Sequence, residues 1–148
     1  MTFSVSDPTF PLNAAEKKRI VLFLHEHLEE YGDSERAILN CLDYALKEVP
    51  SFGGYIVELL DGKEVIGVAV INHTGMLGYI PEHILVYIAI HKQKRGLGNG
   101  ARLLQKVIDL TQGDLALHVE PDNPAAKLYS KFGFTSKYLE MRRVRESQ

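Results

Sequence analysis

Apolar and polar residues follow two different patterns along the first half of the chain. Apolar positions recur at helical spacing in two stretches, and two later stretches are short β-branched runs typical of strands. The predicted helices cover residues 14–31 and 34–48, and the predicted strands cover residues 55–60 and 64–72. Gly32 and Pro50 end the two helices, and Asp61-Gly62 is typical of a hairpin turn. The first half therefore predicts two amphipathic helices followed by an antiparallel hairpin.

The second half is organised around an apolar strand, a basic loop and an amphipathic helix. The strand is predicted over residues 82–90, the loop reads HKQKR over residues 91–95, and the helix ends at residue 110. A strand over residues 115–119, a helix that begins at Asn123 and a last strand complete the pattern. The predicted order is helix, helix, three strands, helix, strand, helix, strand. That order fits a mixed sheet with helices on both faces.

The junction between the basic loop and the helix carries the clearest chemical signal. Three glycines leave the backbone without side-chain shielding where a helix begins, so unpaired N–H groups and the positive end of the helix dipole can meet an anion. Three cations nearby add local positive charge, although a solvated basic turn is an alternative interpretation. The glycines are Gly96, Gly98 and Gly100, and the cations are Lys92, Lys94 and Arg95. Phosphate is the obvious anion.

Spacing separates three classes of glycine-rich phosphate site. A P-loop is excluded because no Gly-Lys-Ser/Thr follows the glycines. Residues 96–101 satisfy G-x-G-x-x-A, and Glu120 lies where a ribose-binding acid would be expected, so a Rossmann-type oxidoreductase is an alternative. Against it, residues 91–95 separate the glycines from the strand, and the chain after Gly100 is too short for the rest of a doubly wound sheet.

The third pattern is Gln/Arg-x-x-Gly-x-Gly/Ala, which residues 93–98 match as QKRGLG. A second motif follows in LALHVEPDNPAAKLYSKFGF, with a strand, an Asn-initiated helix, a Tyr in that helix and a closing Gly-Phe. Through these two motifs, which cover about residues 82–134, the chain resembles the GNAT family of acyl-CoA N-acyltransferases. The resemblance implies an α/β GNAT fold: a mixed, mostly antiparallel sheet of six to seven strands, flanked by about four helices and splayed between strands 4 and 5.

The resemblance also implies acetyl-CoA as a co-substrate, without a metal. The pyrophosphate would lie on backbone N–H groups of the loop, and the pantetheine arm would pair with the strand edge that the splay exposes. Asn123 would contact pantetheine and also cap its own helix. The implied cofactor-binding residues are Ile88, Ala89, Ile90, Gln93, Lys94, Arg95, Gly96, Leu97, Gly98, Asn99 and Asn123.

Two residues are candidates for proton transfer. The resemblance places Tyr129 at the general-acid position, where its hydroxyl would protonate the departing sulfur; a tyrosine packed in the core is the alternative. Glu82 lies where related histone-type enzymes place a catalytic base, but Glu82 or His83 could equally be a polar residue at a strand start, and a water chain could act instead. Alternation places Glu82 and Val86 on one face and His83 and Tyr87 on the other, and a bulge would exchange them.

Composition and charge are those of an ordinary soluble globular protein. The 148 residues predict one domain, and a net charge of −2 with a pI of about 6.3 gives no field that attracts nucleic acid or a membrane. No signal peptide or apolar span is found, and the single cysteine excludes an internal disulfide, so a cytoplasmic location is expected. The expected partner is a small-molecule amine or a protein amine, and a homodimer is left open.

The regions without motifs leave the acceptor open. Five acidic residues near the first helices form either a solvated face or a rim that attracts a cationic amine. They are Glu26, Glu29, Glu30, Asp33 and Glu35. His25 and His27 are predicted at the surface, Cys41 as a buried inert thiol and His118 inside the strand over residues 115–119. The predicted function is N-acetyl transfer to a primary amine by direct attack in a ternary complex; the alternatives are a non-catalytic acyl-CoA-binding module and the Rossmann-type oxidoreductase.

Overall fold

The computed structural model describes residues 1–146 as two compact units, which are treated separately below. The first unit is Met1–Leu117 and the second begins at His118. The expectation of one domain over residues 1–148 stays a prediction, and its last two residues lie outside the described part.

The first unit contains a five-stranded sheet in the order β1-β2-β3-β4-β5. Its strands are β1 (Thr2–Ser6), β2 (Gly54–Asp61), β3 (Glu64–His73), β4 (His83–Ile90) and β5 (Leu115–Leu117). The first four strands pair antiparallel, and β5 pairs with β4 in parallel. This topology confirms the mixed, mostly antiparallel sheet and excludes the doubly wound parallel sheet of a Rossmann-type oxidoreductase.

Within residues 1–146, three helices belong to the first unit and one to the second. They are α1 (Ala14–Leu28), α2 (Glu35–Ala45), α3 (Asn99–Leu110) and α4 (Ala125–Lys131). A capping box begins α1, because the Asn13 side chain accepts the N–H of Glu16 and the Glu16 side chain accepts that of Asn13. Short 3₁₀ turns over Glu29–Tyr31 and Lys92–Lys94 follow α1 and β4. The predicted number of helices is therefore confirmed.

The helices of the first unit cover both faces of the sheet. On one face, α1 and α2 enclose a core with sheet residues that include Ile56, Val70 and Tyr87. On the other face α3 approaches Gly67, where an added Cβ would lie 2.8 Å from Ile90 and 3.2 Å from Leu103. Glycine at this position allows the helix to pack closely on β3. Each fully buried aliphatic side chain in these layers contributes about 1.5–3 kcal/mol to stability.

A bulge interrupts β4 at Val86. Tyr87 pairs with Val70, but the next pair is Leu85 with Ile71, so Val86 is the extra residue. Cross-strand partners share a face, and successive residues of β3 face opposite ways. Leu85 and Tyr87 therefore lie on opposite faces although they are two residues apart. This is the exchange that a bulge was expected to produce.

Two strand predictions were wrong. The described residues form five strands and not six to seven, because no strand forms after α4 within residues 132–146. That segment has alternating apolar residues but no partner ladder, and a strand needs one to satisfy its backbone. The strand predicted over 115–119 ends at Leu117, so His118 lies outside it. The sequence interpretation also missed β1, a short edge strand of five residues.

Candidate active site

The loop between β4 and α3 has the open backbone that the glycine pattern predicted. Gly96 and Gly98 have φ angles of 76° and 82°, in the left-handed region that favours glycine. A Cβ added at either position would meet no atom within 4 Å. Glycine is therefore required by backbone conformation, and the space beside it is open to a ligand.

The first turn of α3 leaves N–H groups beside these glycines. Gly98 is the N-cap and offers no side chain, and Arg102 donates its N–H to the Gly98 carbonyl at 3.1 Å. The N–H groups of the first three helical residues, 99–101, precede that hydrogen bond, so the helix itself does not satisfy them. Together with the helix dipole they form a feature that binds anions. The residues present therefore fit a pyrophosphate group.

Asn99 acts inside the loop through its side chain. The residue is 1% exposed, its amide donates to the Lys94 carbonyl at 3.0 Å, and its side-chain oxygen accepts a hydrogen bond from Arg102 at 2.7 Å. These bonds clamp the loop to the first turn of α3. The Asn99 side chain is therefore used inside the protein.

Arg95 does not present its charge to the glycines. Its guanidinium donates to the Ile90 carbonyl, to the His27 carbonyl and to the Glu29 carboxylate, at 3.2, 2.6 and 2.9 Å. Of the three cations predicted to add positive charge near the glycines, Lys92 and Lys94 therefore remain. Within residues 1–146, the ammonium groups of Lys92 and Lys94 form no ion pair.

The edge of β4 is open beyond its first three residues. β5 pairs only with the part of β4 from His83 to Leu85. Within the first unit, residues 86–90 therefore have no strand on that side, and Val86 is 37% exposed. The predicted contacts Ile88, Ala89 and Ile90 belong to this unpaired part of the strand, whose other edge pairs with β3.

In the second unit, Asn123 and Tyr129 belong to the motif around α4. The Asn123 side chain accepts the N–H of Ala125, the first residue of α4, at 2.9 Å, although Pro124 and not Asn123 is the residue directly before the helix. Tyr129 is 8% exposed and packs its ring against Phe134, with centroids 5.9 Å apart. Burial raises the pKa of Tyr129 to about 12. A phenol is protonated at neutral pH even at its ordinary pKa of about 10, and this shift makes the hydroxyl a weaker proton donor.

Glu82 lies at the other end of β4 from the glycine loop. β4 has eight residues, which at about 3.3 Å per residue separate its ends by roughly 26 Å. The Glu82 carboxylate accepts the N–H of Asp114 at 2.5 Å, and this hydrogen bond is the main cause that lowers the pKa of Glu82. The structure thus gives Glu82 a contact in the turn before β5 and does not bring it to the loop.

Two contacts beside β4 were not predicted from the sequence. Tyr87, which is buried directly after the bulge, donates its hydroxyl to the Asp33 carboxylate at 2.6 Å. Burial, followed by Asp33, raises the pKa of Tyr87 well above its usual range. His27 was predicted at the surface but is 4% exposed, because the loop after β4 covers it. Neither pair has a local sequence signal, since its members lie far apart in the chain.

Cys41 agrees with the sequence interpretation. Cys41 is buried, and burial raises the pKa of its thiol to about 12, so it is an inert core residue. Among residues 1–146, no group of three or more His, Cys, Asp or Glu side chains could hold a metal ion. In the same part of the chain, no helix has the length and apolar character needed to cross a membrane.

The sequence model of the Acetyltransferase (GNAT) family matches residues 17–134. The chain belongs to the GNAT acetyltransferase family. The predicted resemblance is thus confirmed, and it covers the loop, β4 and the α4 motif. Membership supports an acetyltransferase that uses acetyl-CoA. No curated protein sequence is significantly similar to the chain.

Solved structures with the same fold include aminoglycoside-modifying enzymes of the family. The chain is similar to aminoglycoside 6'-N-acetyltransferase AAC(6')-IG from Acinetobacter haemolyticus, with a TM-score of 0.69, 13% identity and full coverage of both chains. The enzyme AAC(6')-Iy in complex with CoA gives a TM-score of 0.68 and 16% identity, over 97% of this chain and 95% of that one. A transcriptional regulator from Bacillus halodurans gives 0.70 and 17%, over 97% and 100%. At these identities the similarity establishes the fold alone.

Proposed function

We propose that the protein is an acetyl-CoA-dependent N-acetyltransferase, which transfers an acetyl group to a primary amine by direct attack in a ternary complex. The observation that carries this proposal is the loop between β4 and α3. Two left-handed glycines there face open space beside the first N–H groups of a helix. An anion of pyrophosphate size fits that chemistry.

The cofactor-binding residues divide into two groups. Backbone N–H groups of residues 95–99 would hold the pyrophosphate, because those of Gln93 and Lys94 already donate to His91. Lys92 and Lys94 would add charge from exposed or partly buried positions. On the unpaired edge of β4, backbone groups of Ile88 and Ile90 would pair with the amides of pantetheine, as an added strand would, with Ala89 between them. Asn123 would add a side-chain contact in addition to its capping bond.

Tyr129 is the proposed general acid. Its hydroxyl would donate a proton to the departing sulfur of coenzyme A; the raised pKa makes the phenol a weaker acid, so the role depends on where the motif places it. This role comes to Tyr129 from the family motif. A protonated phenol is the state that the role requires.

Two carboxylates of the first unit are candidates for the base that takes a proton from the acceptor amine. Glu82 stays the base predicted from the sequence, but a carboxylate with a lowered pKa that already holds the Asp114 N–H is a weak proton acceptor. Asp33 is a second candidate, because it is exposed and lies beside Tyr87, next to the β4 edge proposed for pantetheine. A carboxylate at this place favours a cationic amine.

Ligand stabilisation followed by turnover tests the proposal. Saturation at 100 times the dissociation constant should add about 2.7 kcal/mol to the free energy of unfolding. We expect acetyl-CoA and CoA to stabilise the purified protein and NAD(H) to have no effect. Release of free thiol from acetyl-CoA over a panel of amines would then identify the acceptor.

The outcomes distinguish the proposed enzyme from its alternative. Stabilisation by acetyl-CoA without thiol release on any small amine or lysine peptide would favour a non-catalytic acyl-CoA-binding module. Absence of binding by acetyl-CoA, CoA and longer acyl-CoAs would overturn the proposal.

A further inference from the structure

The end of α1 and the cofactor loop are joined by a cluster that the proposed chemistry does not use. It consists of two histidines, one arginine and two carboxylates, and we refer to it as the loop clasp. Its members are His27, His91, Arg95, Glu26 and Glu29. All five lie in the first unit.

Both histidines of the loop clasp accept hydrogen bonds from successive backbone groups. His27 Nδ1 accepts the N–H of Lys92 at 3.2 Å, and His91 Nδ1 accepts the N–H of Gln93 at 3.1 Å. The two rings lie 4.2 Å apart between centroids. Because a backbone N–H can only donate, each Nδ1 must carry a lone pair. His27 is therefore neutral in this arrangement, with its proton on Nε2, which lies 3.2 Å from the Glu26 carboxylate.

Arg95 fixes the far side of the same turn. Its bonds to the His27 carbonyl and the Glu29 carboxylate place a cation at the C-terminal end of α1, where helix carbonyls lack partners. Its third bond, to the Ile90 carbonyl, joins this end of α1 to the last residue of β4. The backbone that leads into Gly96 is thus held at both sides.

We propose that His27 is a positioning residue: its neutral imidazole holds the turn at residues 92–94 so that the loop presents its N–H groups to the pyrophosphate, and protonation of His27 releases the turn. This inference rests on the proposed function only for the identity of the ligand. The loop clasp itself is a property of the ligand-free protein.

The charged groups around His27 determine how it responds to pH. Burial lowers the pKa of His27 first, the neighbouring His91 lowers it further, Glu26 raises it, and Lys92 and Arg95 lower it. Protonation therefore competes with the clasped state. The clasp is complete above the ordinary histidine pKa of 6.5 and is lost as the pH falls through the lowered value.

The test compares two amides at one position. In His27→Asn, the amide oxygen lies near the position of Nδ1 and can accept the Lys92 N–H without titrating. In His27→Gln, the longer side chain places its oxygen near Nε2 and cannot. Both variants lose the same ring, so a purely structural role would affect them alike. His25→Asn, on the exposed side of the same helix, is the matched control.

The first readout is amide hydrogen exchange of residues 91–101 in the protein without ligand. We expect exchange to increase roughly 3- to 10-fold in His27→Gln, as for the loss of one hydrogen bond, and to stay near the wild-type rate in His27→Asn. Wild-type exchange, corrected for its intrinsic dependence on pH, should increase in the same segment as the pH falls below about 6.5. Equal exchange in both variants, or no pH effect in the wild type, would overturn the inference.

The second readout is the dissociation constant for CoA between pH 5 and pH 8. CoA affinity should fall roughly 3- to 10-fold in His27→Gln at pH 7.5 and change little in His27→Asn. A phosphate of CoA also titrates near pH 6, so the deciding quantity is the ratio of each variant to the wild type. If the wild type does not bind CoA, the proposed function fails, whereas hydrogen exchange still decides whether the loop clasp exists.

Discussion

A pair of histidines lies at each end of β4, and the two pairs differ in what they hydrogen-bond. At the loop end, His27 and His91 each accept a backbone N–H, so the imidazoles determine the shape of a segment that is otherwise open. At the opposite end, the Nδ1 atoms of His73 and His83 face each other at 2.9 Å, and His83 Nε2 donates to the Gln112 carbonyl at 2.6 Å. In the second pair the two rings hydrogen-bond each other, and His83 also holds the turn at Gln112.

The same contrast holds for the glycines at the two ends. Gly98 and Gly113 both have positive φ, at 82° and 100°. A Cβ at Gly98 would enter open space, whereas at Gly113 it would lie 2.7 Å from the Glu82 carboxylate. One end of β4 is therefore built to leave backbone groups available, and the other is built to use them internally. We infer that ligand chemistry belongs to the loop end.

The largest expected effect tests whether the reaction depends on the acid of the family motif. Tyr129→Phe removes the hydroxyl and retains the ring that packs on Phe134. We expect turnover to fall 10²- to 10⁴-fold, as is typical of general acid catalysis, with acetyl-CoA affinity nearly unchanged. Single-turnover rates and thermal midpoints on the same preparations measure this. Unchanged turnover with a lower midpoint would indicate a core tyrosine instead.

The glycine comparison gives the next effect. Gly98→Val should lower CoA affinity by roughly 100-fold, or about 2.8 kcal/mol, because its side chain occupies the space of the pyrophosphate. Gly113→Val should lower the free energy of unfolding with little effect on CoA affinity. Both substitutions add about 1–3 kcal/mol of backbone strain. Titration calorimetry with CoA, combined with denaturant unfolding, separates the two losses. Normal CoA binding by a folded Gly98→Val protein would mean that the pyrophosphate does not bind at this loop.

A smaller effect distinguishes the two candidate carboxylates. We expect Asp33→Asn to lower turnover of a cationic amine by roughly 10- to 100-fold, since the amide still accepts the Tyr87 hydroxyl but removes the charge. Glu82→Gln should leave turnover largely intact. A fall in turnover for Glu82→Gln, with none for Asp33→Asn, would return the role of base to Glu82.

Glu82→Gln should also change how the free energy of unfolding depends on pH. The pKa of Glu82 is lowered by the Asp114 N–H, so its contribution to stability is present above the usual pKa of 4.5 and is lost as the pH falls through the lowered value. The wild type should therefore lose stability below about pH 4.5 more steeply than the variant. Urea unfolding between pH 3 and pH 7 measures the difference in slope.

The sequence predicted the parts of the molecule that depend on local signals. Gly96 and Gly98 mark left-handed backbone by residue type, and the GNAT motifs predicted the family together with β4 and α3. It could not predict pairs such as Tyr87 with Asp33 or Lys92 with His27, which lie 54 and 65 residues apart. Which partners meet is decided by helix packing on the sheet, and periodicity does not encode it. For His27, a helical position alone did not show that a loop would cover it.

The smallest effect concerns the histidine pair at the end of β4 that we consider structural. Burial lowers the pKa of His73 first, and then His83 and Lys47 lower it further. Its contribution to stability is therefore present above the ordinary pKa of 6.5 and is lost as the pH falls through the lowered value. We expect His73→Gln to reduce this slope of the free energy of unfolding between pH 5 and pH 7, and to leave the pH dependence of CoA affinity unchanged. His27→Asn should instead reduce the pH dependence of CoA affinity, because its amide holds the Lys92 N–H without titrating. Measured together, the two variants test whether the ends of β4 are functionally distinct, and a change in CoA affinity caused by His73→Gln would show that they are coupled.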